Sequence, residues 1–105
     1  MSAYEELDTF HALHEAARLM RGRAGQMRGE MDRRPATWGP GYRDEVQASL
    51  GGPAGEMAAP WDPEAAEAVA EWLETEAHMF GLRGNSAEGQ TLHALKVARA
   101  YLGPA

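Results

Sequence analysis

The sequence predicts an all-α fold, a small helical bundle in which a long N-terminal helix packs on a C-terminal antiparallel helical hairpin. Three observations predict it. Residues 61–103 hold two helices whose start and stop signals agree with their apolar spacing. Residues 1–34 repeat apolar side chains every three and four positions until Pro35. Residues 35–60 between them, PATWGPGYRDEVQASLGGPAGEMAAP, contain four prolines and five glycines and read as a connector. At 105 residues the chain is expected to form a single domain, large enough for one modest core.

The first helix is expected from Ser2 to about Arg34. Ser2 or a neighbour caps it, Glu5, Glu6 and Asp8 suit the positive end of its dipole, and Pro35 stops it. Phe10, Leu13, Ala17, Met20, Ala24, Met27 and Met31 form an a/d seam whose Met and Ala knobs are pliable or small. Gly22, Gly25 and Gly29 lie within it, each costing roughly 1 kcal/mol against Ala. The expectation is a helix that frays or kinks after Arg21 and leaves a mobile Arg-rich tail. The other reading is a small-residue face that lets a second backbone approach.

In the connector, Tyr42, Val46 and Leu50 recur at helical spacing, so one short helix is expected over 42–50. Trp38 and Tyr42 are too apolar to leave in water. They are expected to close the end of the bundle, or else to offer an aromatic patch to a partner.

The hairpin's first arm starts at Asp62, an N-cap, followed by Pro63 where a missing N–H costs nothing. Ala65, Val69, Trp72, Leu73, Ala77 and Phe80 are its expected apolar stripe, and Gly81-Leu82 its left-handed stop. Asn85 and Glu88 make a capping box for the second arm, whose stripe is Leu92, Leu95, Ala98, Tyr101 and Leu102, ended by Gly103-Pro104. Glu67, Glu71 and Glu74 should form a solvated outer row with weak pairing to Lys96 and Arg99.

The pairing of PEAAEAVAEWLE with a closing LHALKVARAYLG resembles the C-terminal half of small uncharacterised helical proteins of actinobacteria and actinophages. There an AVAxWL helix precedes an ALxVARAYLG helix. The resemblance spans about the last third of the chain. It implies the hairpin and a source of that kind, and brings no catalytic residues. Nine arginines against one lysine, with abundant Ala and Gly, are what a GC-rich genome produces.

The chain has no cysteine, which excludes disulfides, thiolate metal sites and thiol nucleophiles. No apolar run approaches the roughly 20 residues that span a bilayer, and nothing resembles a signal peptide, so a cytoplasmic protein is expected. A net charge of −6 argues against a general nucleic-acid binder. The charge is nevertheless polarised: Arg18, Arg21, Arg23, Arg28, Arg33 and Arg34 cluster near the N-terminal half, and Asp62, Glu64, Glu67, Glu71, Glu74 and Glu76 on the hairpin. With Phe10 at a, Arg21 and Arg28 fall at e and Arg23 at g, positions that flank a helical seam and suit pairing with the acidic row.

His11 and His14 lie one turn apart, and His78 and His93 flank the hairpin turn. Two such pairs could meet around a transition metal, but no ligand motif fixes the spacing, so neither metal nor cofactor is expected. Ser2, Ser49 and Ser86 lack a neighbouring base, and GLRGNSAEG lacks the strand and lysine of a phosphate loop. The expected function is a non-enzymatic protein-interaction module, of the kind a phage or mobile element uses, that binds a host protein or itself. Met20, Met27, Met31, Arg21, Arg28, Trp38 and Tyr42 are the expected contact residues. The alternative is a nucleic-acid-binding regulator using Arg18, Arg21, Arg28, Arg33 and Arg34.

Overall fold

The computed structural model describes residues 3–83 and 89–103. Among the described residues every regular element is helical: α1 Ala3–Arg33, α2 Pro35–Trp38, α3 Tyr42–Leu50, α4 Gly52–Ala58, α5 Pro63–Arg83 and α6 Gly89–Leu102. The all-α bundle follows from the sequence as expected. The chain groups into two compact units, one of residues 1–20 with 68–105 and the other of residues 21–67. α1 and α5 each contribute to both, so the grouping cuts across the linear division at residues 34 and 60.

The first unit is a three-helix arrangement around one core. Leu13, Ala16, Ala17 and Met20 of α1 meet Ala70, Leu73 and Ala77 of α5 and Ala94 and Ala98 of α6. Phe10, Val69, Tyr101 and Leu102 pack at its margin. Six of the nine core residues are alanine, which lets helix backbones approach closely. This shifts the buried stripes from their expected positions. Trp72, expected inside with Leu73, is 39% exposed, and Leu92 is 49% exposed while Thr91 and Ala94 are buried in its place. Adjacent residues on a helix point about 100° apart, so Trp72 and Leu73 cannot share one narrow face.

Three polar residues, Thr9, Glu76 and Thr91, enter this unit's interior. The Thr91 hydroxyl donates to Glu76 Oε2 at 3.2 Å, and both side chains are buried. At the unit's edge Arg99 of α6 donates to Asp8 of α1 at 2.9 Å.

In the second unit, α3 packs on α4, and Ala24, Gly55, Ala59, Pro63 and Ala66 are buried. The connector holds three short helices where one was expected. α3 has the expected bounds. α2 begins on Pro35, and α4 has Pro53 in its first turn, positions where proline costs no hydrogen bond. Gly51 and Gly52, at φ +67° and +51°, turn the chain from α3 into α4 through a conformation that side-chain-bearing residues avoid. Gly55 is buried, and a Cβ there would crowd Gln47, with the Gln47 Oε1 3.1 Å and its Cα 3.3 Å away.

Two expectations about glycine are corrected. α1 runs unbroken through Gly22, Gly25 and Gly29 to Arg33, so the fray after Arg21 is absent. Nothing lies within 4 Å of a Cβ built at Gly22 or Gly25, so neither marks a close backbone approach within the chain. Gly81 is not the left-handed stop of α5, which continues to Arg83; Gly103, at φ +82°, does end α6 as expected. The caps assigned to Ser2, Asn85 and Glu88 lie outside the described residues, as does Ser86.

Candidate protein-interaction surface

The helix that supplies most of the hairpin, α5, starts as its sequence dictates. The Ala65 N–H donates to Asp62 Oδ1 at 2.8 Å, and the Asp62 carbonyl accepts from Ala66 at 3.0 Å. Asp62 also accepts from Arg43 Nε at 3.1 Å. The helix-terminal N–H of Ala65, with Arg43 beside it, holds the Asp62 carboxyl below its ordinary range. Asp62 therefore anchors α3 to the start of α5 inside the second unit.

Arg28 and Glu67 are paired in the same unit. Arg28 Nε donates to Glu67 Oε1 at 2.8 Å and Nη2 donates to Oε2 at 3.0 Å, a two-pronged fork between α1 and α5. The fork holds the Glu67 carboxyl below its ordinary range, and the charge of Arg21 adds to the effect. Pairing of the arginines with the acidic row is thus realised here, and Glu67 is a partner of α1 rather than a merely solvated carboxylate.

Three other arginines of the cluster also meet carboxylates. Arg18 donates to both oxygens of Glu15, at 3.0 and 2.6 Å. Arg33 and Arg34 both reach Glu30, at 3.2 and 3.1 Å.

The seam residues divide by position. Met20 is 1% exposed in the first unit's core, so the chain itself consumes that knob. Met27 and Met31 are half-buried in the second unit. The Trp38 and Tyr42 rings stack with centroids 5.9 Å apart and planes 10° apart, each half-buried, so each shields a face of the other. His14 lies against Phe10 with ring centroids 4.4 Å apart, and His11, His78 and His93 are exposed. Among the described residues no three His, Asp or Glu side chains are placed to hold a metal ion. Among them, too, no helix is long and apolar enough to cross a membrane.

A second stripe on α5 escapes the sequence reading. Ala70, Leu73, Ala77 and Phe80 are buried, at spacings of three, four and three. Trp72, Thr75, Met79 and Leu82 repeat that pattern two residues later and are exposed, Met79 at 41% and Leu82 at 69%. A two-residue shift is about 200° around a helix, so the second stripe lies opposite the first. The exposed Glu71 and His78 and the half-buried Glu74 run along one edge of it. The sequence carries this signal as two interleaved stripes, with Leu73 on the buried one and Trp72 on the exposed one.

No family model, curated protein or solved structure matches the chain.

Proposed function

We propose that this chain is a small, non-enzymatic helical protein-interaction module that acts in the cytoplasm. One observation carries the reading: α5 has two apolar faces, and its own unit buries only one of them. A tryptophan, a methionine and a leucine aligned on one exposed helix face are costly to leave in water, and such alignment is unlike the single scattered apolar residues of ordinary surfaces. Trp and Met are also over-represented where proteins bind one another. The contact surface this favours is Trp72, Met79 and Leu82, in place of a seam through Met20. The resemblance of the C-terminal helices to small actinobacterial and phage proteins supports an accessory or regulatory role in a phage or mobile element.

A photoreactive residue at position 79 tests the reading against the same residue at exposed Gly25. The expected result in source cells is a discrete protein adduct formed from position 79 only. Nucleic-acid adducts from position 25, with none from 79, would favour the Arg-rich alternative instead.

A further inference from the structure

We infer that the outward face of α5 docks a basic amphipathic helix of another protein. This inference rests on the interaction-module reading and adds the partner's chemistry. The shape of the occupant follows from the spacing. Trp72, Thr75, Met79 and Leu82 alternate three and four residues apart, the repeat at which one helix seats knobs between the side chains of another. The stripe rises about 15 Å along the axis from Trp72 to Leu82, enough for roughly three turns of a partner helix. A strand or an irregular loop would match that repeat poorly.

The sign of the occupant follows from the edge. Glu71 is exposed and borders the stripe, one helical turn before Thr75. The chain as a whole carries −6. Lys or Arg at the partner's flanking position would meet the Glu71 carboxylate as the contact loses water, while an acidic residue there would be repelled. A second copy is a poorer occupant. Pairing α5 on itself joins two chains that each carry −6.

The test uses two labelled three-heptad peptides with leucine at every a and d position. One carries lysine at the flanking positions and its twin carries glutamate. Fluorescence anisotropy with the full chain is expected to show the lysine peptide binding about tenfold or more tighter than the twin. Met79→Asp should abolish that binding, and Leu82→Asp should weaken it, with helicity at 222 nm matched to the parent. Glu71→Lys should remove most of the preference. Equal binding of the two peptides, binding indifferent to Met79→Asp, or a chain that sediments as a dimer sealed through α5 would each overturn the inference. If neither peptide binds while position 79 still yields a protein adduct, the basic-helix assignment fails and the interaction-module reading stands. If neither signal is seen, both fail.

Discussion

Arg28 and Glu67, 39 residues apart in sequence, meet through two parallel hydrogen bonds of 2.8 and 3.0 Å. The contact joins the second half of α1 to the start of α5 within one unit. It gives the Arg-rich segment a structural occupation that composition could only suggest. Arginine supplies the planar fork that a carboxylate matches; lysine at the same place would offer one donor direction. Arg28→Lys is therefore expected to lower the melting temperature slightly, and less so in high salt, because the pair is half-exposed and screened. An equal or larger loss in high salt would show that the fork is not the source.

The same pair sets a pH dependence. Glu67 titrates below its ordinary value of 4.5 because Arg28 bonds its charged form. A carboxyl depressed in the folded state adds stability above its unfolded pKa and loses it as pH falls through the folded value. Melting curves of the parent and Glu67→Gln should differ at pH 7 and converge as pH drops below about 4. A gap that widens in acid would reverse the assigned sign.

Asp62 combines a cap with an ion pair, and substitutions separate the two. Asp62→Ala removes both and should cost about 1 kcal/mol or somewhat more in denaturant unfolding. Asp62→Asn keeps an acceptor for the Ala65 N–H and should recover most of that loss. If Asn were as damaging as Ala, the charge facing Arg43 would outweigh the cap.

Helix glycines give opposite expectations at different sites. Gly22→Ala and Gly25→Ala add a methyl to open space in an unbroken helix and should each stabilise by up to about 1 kcal/mol. Gly55→Ala drives a methyl against Gln47, including its backbone, and should destabilise. Thermal melts of the three variants check the contrast.

Leu73 and Leu82 test the two faces of α5 directly. Leu73→Ala opens a hole in the first unit's core and should cost about 2–5 kcal/mol. Leu82→Ala removes a side chain that is 69% exposed and should leave stability nearly unchanged.

Much of the fold was legible because local signals agreed with tertiary packing. Pro35 stopped α1 within a residue of its expected end, and Tyr42, Val46 and Leu50 marked α3. Asp62-Pro63 began α5. What was missed follows from the alanine-rich core. When Ala70, Ala77, Ala94 and Ala98 bring helices close together, burial no longer tracks side-chain size, and Trp72 and Leu92 fall outside a stripe drawn through the largest apolar residues. Glycine misled in the same way. Gly22, Gly25 and Gly81 reduce helix propensity locally, yet the surrounding helix is held by its neighbours and continues through them. The Arg28–Glu67 fork could be suggested from heptad position, but its register depends on how α1 lies along α5, which no local pattern specifies.

The central claim is that α5 holds the fold with one face and a partner with the other. Its most direct test is nuclease-treated affinity capture from source cells with the tagged parent chain and the Met79→Asp, Leu82→Asp double variant. The account predicts the same helicity and melting temperature for both chains, with a stoichiometric protein retained by the parent and lost by the variant. A partner retained equally by both, or a variant that unfolds, would contradict it.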